Sequence, residues 1–209
     1  FLDEVERTAG HIGAINTSVA EKGNLLGINT DATGALRALH EANVPLQSEP
    51  VVILGSGGAA RAIAFALGVQ AGVHRLHLLG IDDVERIALA TDLMERTPMR
   101  VVDTFLDEQS LKAALADARL LIHCTPIGMS PKAGISCVSR SLLHPALTVM
   151  DIVYNPRETK LLADAKAAGC RTISGLEMFL HQAAGQFERW TGQAAPTQVM
   201  RAVLESRFA

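Results

Sequence analysis

Aromatic residues are scarce: Phe, Tyr and Trp make up 4% of the 209 residues. So few rings argue against a base-stacking platform for single-stranded nucleic acid. Charge of one sign is lacking too. Nineteen Lys and Arg face 22 Asp and Glu, a net charge of −3. That balance gives no electrostatic footprint for nucleic acid or an anionic membrane surface. No apolar run approaches the roughly 20 residues that cross a bilayer, and no leader pattern opens the sequence. Cysteine is limited to Cys124, Cys137 and Cys170, an odd number without metal-ligand spacing. They read as reduced thiols, with Cys124 a small buried residue at a strand end, and no metal is expected. Internal repeats and low-complexity segments are absent. The expectation is a cytoplasmic protein with a small-molecule partner, as a monomer or homodimer, binding neither nucleic acid nor membrane.

Glycine is plentiful, at 17 residues, and 48% of the chain is hydrophobic. That is ample core for one large domain or two small ones. Residues 51–61 read Val-Val-Ile-Leu-Gly-Ser-Gly-Gly-Ala-Ala-Arg. The apolar run Val51–Leu54 suits a buried parallel strand. Gly55, Ser56, Gly57, Gly58 and Ala59 then make a tight turn. From Ala59 the pattern is helical, with Ala59, Ile63, Ala66 and Leu67 on one face. Strand, glycine turn and helix N-terminus together form an anion site. The first-turn N–H groups lack helical partners, and the helix dipole favours negative charge there. Glycines also let a pyrophosphate approach the backbone closely. An ordinary tight turn would read similarly. The flanking strand, the alanine-rich helix and a second apolar strand at Leu76–Leu79 favour a dinucleotide site.

From Val51 strands and helices alternate. Strands are predicted at 51–54, 75–79, 100–104, 119–123, 147–152 and 171–173. Helices are predicted at 58–70, 84–95, 109–116, 158–168 and 176–190, with a last helix at 197–206. This alternation implies βαβ units, hence a parallel sheet with helices on both faces. Ahead of it, His11–Val19 and Asn24–Asp31 read as two short strands around a hairpin at Glu21-Lys22-Gly23. Asp31 or Thr33 then opens a helix through Leu36, Leu39 and His40. Val44–Pro50 is a linker, broken by two prolines. Phe1–Glu4 reads as the middle of a helix. Two strands cannot close a sheet domain alone, so the front of the first domain is expected to be missing.

Polar residues collect where strands are predicted to end. Asn16 and Asp31 close the parallel phrases Ile15-Asn16-Thr17 and Ile28-Asn29-Thr30-Asp31. Strand-end groups can point into one cleft, where Asn donates and accepts and Asp accepts or relays a proton. Both types are more often turn formers or caps. His123-Cys124-Thr125-Pro126-Ile127-Gly128-Met129 leaves the fourth strand of the alternating set at its carboxyl edge, where open α/β sheets bind ligands. Thr125 can bond a cofactor; His123 is tempting as an acid–base group, although a strand histidine is more often structural. Asp151 to Thr159 leaves the next strand, with the Tyr154 phenol placed to meet a carboxylate or carboxamide. In the last such segment Gln182 follows Met178 at i+4, on the same helix face.

In order, these phrases resemble the shikimate dehydrogenase family, including its quinate/shikimate branch. The matching runs are Gly13–Thr17, Gly27–Gly34, Gly55–Ala59, Thr125–Met129, Asp151–Pro156 and Gly175–Gln182. Six phrases in family order are highly specific, whereas the glycine phrase alone is not. The resemblance implies a Rossmann-like α/β domain plus the remnant of an N-terminal α/β substrate domain. Residues 1–34 would be the back of that substrate domain, 50–178 the dinucleotide-binding domain, and 179–209 helices packing back on the first part. The implied reaction is reversible, NAD(P)-dependent oxidation of a ring hydroxyl, as in 3-dehydroshikimate reduction for aromatic amino acid biosynthesis. Asn16, Asp31, Tyr154 and Gln182 would hold the ring acid, and Asp31 would belong to a catalytic Lys–Asp pair. Gly55, Ser56, Gly57, Gly58, Ala59, Asp82, Asp83, Thr125, Ile152, Gly175 and Met178 would meet the cofactor.

Two departures bear on activity. The family's lysine, and a serine pair for the substrate carboxylate, come before Asn16, and Lys22 does not match that lysine. Without them the chain would be a non-catalytic or truncated nucleotide-binding module of the same family. Members that use NADP also carry an Asn-Arg-Thr phrase after the second nucleotide-domain strand, and its Arg holds the 2′-phosphate. Here that place reads Gly80-Ile81-Asp82-Asp83. Ile81 cannot pair with phosphate, and an acid there suits a free ribose diol. NAD is therefore the expected cofactor, with NADP possible should Arg86, one turn on, reach the phosphate.

Overall fold

The structure is a computed structural model and describes residues 2–47 and 50–207. Six strands form the larger sheet: β4 (Val51–Leu54), β5 (Arg75–Gly80), β6 (Arg100–Phe105), β7 (Leu120–His123), β8 (Thr148–Asp151) and β9 (Arg171–Ile173). Their order is β6-β5-β4-β7-β8-β9 and every pairing is parallel. This is the doubly wound Rossmann order, which reverses between β4 and β7 and opens a crevice at their carboxyl ends.

Alternation along β4 shows how the sheet is held. Val51 and Ile53 enter the core on one face, and Val52 and Leu54 enter the core on the other. Both faces are therefore covered, and the run carries no polar residue. The first face is closed by α2 (Thr30–Glu41), α3 (Gly58–Val69) and α4 (Asp83–Arg96); the second by α5 (Glu108–Leu115) and α6 (Lys160–Ala167). Helix α3 is buried nearly all round, from Ala60 and Ala62 to Gly68. Its alanines let the sheet and α2 pack on opposite sides, so the single apolar face expected there is too narrow a description.

The smaller sheet has the order β1-β3-β2, from β1 (Glu4–Val5), β2 (Thr17–Glu21) and β3 (Asn24–Ile28). The hairpin stands as expected. Lys22 at φ 53° and Gly23 at φ 88° supply its two left-handed positions. Two readings of this region are corrected. Glu4–Val5 is a strand paired parallel to β3, not the middle of a helix; Phe1 lies outside the described residues. Residues Arg7–Ile12 form helix α1, so the strand expected from His11 begins only at Thr17. This helix buries only Ala9 and Ile12, too little to write a period into the sequence. Gly13 ends it at φ 72°, donating to the Ala9 carbonyl. The linker expected at 44–50 has no regular element over 44–47, while Ser48 and Glu49 lie outside the described residues.

The chain closes with α7 (Gly175–Thr191) and α8 (Thr197–Arg207). Helix α7 runs along α2 and reaches the hairpin. Arg37 pairs with Glu188 at 2.9 Å, and the Trp190 indole donates to the Ser18 carbonyl at 3.0 Å. The helices meet closely at Gly34, where a Cβ would lie 2.8 Å from the Met178 carbonyl oxygen. No helix among the described residues is long and apolar enough to cross a membrane.

Candidate active site

Between Thr17 and α2 lies a polar knot. Asn29, not Asp31 or Thr33, caps α2, accepting from the N–H groups of Asp31 and Ala32. Asp31 is thus released from the capping role, and Asn16 donates to its Oδ1 at 2.9 Å. Asn16 also accepts from the Thr30 N–H at 3.0 Å and the Thr17 hydroxyl at 2.8 Å. Gln186 of α7 donates to that same hydroxyl at 3.0 Å. Burial pushes the Asp31 carboxyl up, and the Asn16 hydrogen bond works against it. A carboxyl raised in this way holds a proton nearer to neutral pH, which suits a relay. Thr17, Thr30 and Gln186 escape the sequence reading. Gln186, four residues after Gln182 on the same helix, is the available signal.

Tyr154 sits in the loop after β8, 38% exposed, and stacks on Phe179 of α7 with ring centroids 4.8 Å apart. Gln182 and Met178 both border Gly34 at the α2–α7 crossing. Asn16 and Asp31 are in direct contact. Gln182 is joined to them through the packing of α7 on α2 at Gly34, and Tyr154 stacks on the same helix.

The glycine turn joins β4 to α3. Gly55, at φ 104°, is pressed against the Cys124 carbonyl oxygen, 2.9 Å from where a Cβ would stand. Gly57 and Gly58 face open space: among the described residues none beyond their chain neighbours comes within 4 Å of an added Cβ. Among the described residues no side chain caps α3, whereas Asp82, Asp107, Thr159 and Ser174 cap α4 to α7. Ser56 lies against Gly80 of β5, and Ala59 is half-buried in the first turn. The donors at this turn and the space above it fit a dinucleotide pyrophosphate.

Beside the turn is a cleft of about 370 Å³, lined by Cys124, Thr125, Met129, Ile152, Val153 and Tyr154. Gly175 forms its back: a Cβ there would stand 2.5 Å from the Ile152 carbonyl oxygen. Below the cleft His123 is buried, its Nδ1 2.8 Å from Asp151 Oδ1. Burial pulls the imidazolium down, but Asp151 and Cys137 outweigh it and hold His123 at about 9. Cys124 is half-buried, its thiol pushed up by burial and by Asp151. Arg61 also escapes the sequence reading. It reaches from α3 to the Ile12 carbonyl and Asp92, tying α1 to α4 across the start of α3. A lone cation in an alanine-rich helix is its only signal.

Known proteins resemble this chain over most of its length. Residues 175–205 match the shikimate 5′-dehydrogenase C-terminal domain. Shikimate dehydrogenase (NADP(+)) of Symbiobacterium thermophilum is 42% identical over 203 residues, 96% of this chain and 69% of that protein. Quinate/shikimate dehydrogenase of Shigella flexneri is 42% identical over 209 residues, 98% of this chain and 84% of that one. Shikimate 5-dehydrogenase of Listeria monocytogenes, solved with shikimate and NAD, superposes with a TM-score of 0.92 at 33% identity, over 97% of this chain and 72% of that one. Quinate dehydrogenase of Corynebacterium glutamicum, solved with NAD, gives 0.89 at 34% identity, over 98% and 72%. With this identity spread over most of both chains, the protein belongs to the shikimate/quinate dehydrogenase family.

Proposed function

We propose that this chain carries the nucleotide site and much of the substrate site of an NAD(P)-dependent dehydrogenase for a ring hydroxyl of shikimate or quinate. The observation that carries it is the crevice where strand order reverses, with the open turn at Gly57 on one wall and the Thr125–Tyr154 cleft on the other. When bound, the nicotinamide accepts or returns the hydride. Asn16 fixes Asp31, and Asp31 takes part in moving the hydroxyl proton, paired with a lysine that precedes Asn16 in the family. Tyr154 and Gln182 orient the ring acid. We assign 1–34 and 179–209 to the substrate side and 50–178 to the dinucleotide side; the α7 contacts with α2 and β2 support that division. Initial rates on shikimate and quinate with both cofactors test the reading. Nucleotide binding without turnover in the full-length protein would favour a non-catalytic module instead.

The turn gives a direct check. A Cβ added at Gly57 comes within 4 Å of no described residue beyond its chain neighbours, so Gly57→Val should leave thermal stability nearly unchanged. The branched side chain would instead occupy the space a pyrophosphate needs. Dinucleotide affinity should fall at least tenfold, about 1.4 kcal/mol, by calorimetry. Unchanged binding would remove this turn from the site.

Cofactor choice follows from what holds Arg86. It is buried, its Nη1 bonded to Asp83 Oδ1 at 2.5 Å and to the Gly80 carbonyl at 3.2 Å, its Nε to Asp103 Oδ2 at 3.2 Å. Two carboxylates and a carbonyl already use this guanidinium, so reaching a 2′-phosphate would break the contacts that hold a buried cation to Asp83 and Asp103 at the protein surface. Asp82 caps α4 through the Glu85 N–H, with Ile81 exposed beside it. The expected result is a specificity constant for NAD equal to or above that for NADP. Ile81→Arg with Asp82→Thr should shift the ratio towards NADP, since Thr can still cap the helix. A wild-type ratio strongly favouring NADP would overturn this reading.

A further inference from the structure

His123 is more than filler under the cleft. Its ring lies between β7 and β8, with Nδ1 on Asp151 and Nε2 on the Thr125 hydroxyl. Asp151 is itself fully held. It accepts from the Val153 N–H at 3.0 Å and from the Thr159 hydroxyl, which in turn caps α6. The charged or titratable groups facing His123 are Asp151 from β8 and Cys137 from the loop beyond Met129, with Cys124 adjacent in the chain. Thr125 Oγ1 also accepts from the Ile127 N–H at 3.3 Å, inside the loop that edges the cleft.

Proton counting around Thr125 gives the inference. In the imidazolium both ring nitrogens donate. Nδ1–H goes to Asp151 and Nε2–H to Thr125. Thr125 Oγ1 then accepts twice, from His123 and from Ile127, and its own hydrogen is left to point at the cleft. In neutral His123 the proton stays on Nδ1, against the carboxylate, and Nε2 becomes an acceptor. The Thr125 hydroxyl, already in contact with that nitrogen, turns its hydrogen inward to fill it. We propose that His123 is a positioning residue whose imidazolium, clamped by Asp151, sets Thr125 to donate a hydrogen bond to the bound dinucleotide, and that losing its proton withdraws that donor. The inference rests on the cofactor reading above. Because His123 is held at about 9, the donor is set throughout neutral pH and withdrawn in alkaline solution.

The test is calorimetric binding of NADH between pH 7 and 10, in two buffers of different ionisation enthalpy. Wild type should lose about tenfold in affinity across this range and take up about half a proton per NADH near pH 9, where free His123 is half protonated. Thr125→Ser should retain both features, and Cys137→Ser should keep the inflection but move it to lower pH, because that thiol helps to hold His123 up. Thr125→Val, which leaves the His123–Asp151 pair intact, should bind more weakly at pH 7 and show neither. His123→Gln, which does not titrate, should bind without the inflection. A Thr125→Val protein that keeps the inflection overturns the proposal, as does wild-type binding that is flat with pH. An inflection lost in Cys137→Ser assigns the proton to that thiol and also overturns it. If wild type binds no NADH at any pH, the cofactor reading fails and this inference with it.

Discussion

Asp31→Asn in the full-length protein should lower kcat by two to four orders of magnitude while KM changes only a fewfold. Asn is isosteric and can still contact Asn16, so the knot around Thr17 and Thr30 is kept. What is lost is a group that takes and gives a proton, and positioned proton transfer contributes on the order of 10²–10⁴ in rate. Gln182→Ala should behave oppositely. It removes a contact made in ground and transition states alike, so KM rises and kcat is nearly unchanged. Steady-state rates with shikimate and with quinate separate the two patterns. Wild-type behaviour from both variants would remove these residues from the substrate site.

Gly175→Ala should cause the largest loss of stability. The added Cβ would stand 2.5 Å from the Ile152 carbonyl oxygen and 2.6 Å from that of Val153. Both are backbone atoms, so no side-chain rotation relieves the clash; α7 must lift away from the end of β8. Overpacking against rigid backbone reaches the top of the usual range, about 3 kcal/mol, and thermal unfolding should fall by about 6–12 °C in a chain of this size. Ile152, Val153 and Tyr154 line the cleft, so binding in the surviving folded fraction should weaken too. Calorimetric unfolding checks the first effect. An unchanged transition would mean that the contact relaxes freely. Gly57→Val is the control, a bulkier change at a glycine that faces open space.

The contrast between these glycines shows where sequence reading stops. Gly55, Gly57 and Gly175 are equally plain as letters in loops after strands. Which one gives a ligand room and which presses two backbones together depends on atoms distant in the chain. Helix α1 is illegible for a related reason: two buried side chains in six residues write no periodicity. Asp31 reads more readily as a cap than as a relay, yet Asn29, two residues earlier, takes the cap. Arg86 reads as able to reach a phosphate, but Asp103, on a neighbouring strand, holds it.

The strands and helices after Val51 are legible because each buries one face or two, and burial imposes a period of 2 or 3.6 on the letters themselves. The glycine turn is legible because it combines a local backbone need with a helix end. Family membership is legible in six ordered phrases. Other features are decided by tertiary structure alone: the contact of Asn16 with Asp31, the seating of α7 on α2 at Gly34, the burial of Arg86 and the His123–Asp151–Thr125 chain. Each joins residues through a directional contact of about 3 Å between different elements. No repeating pattern in one segment encodes such a contact, because its geometry exists only once the sheets and helices have packed.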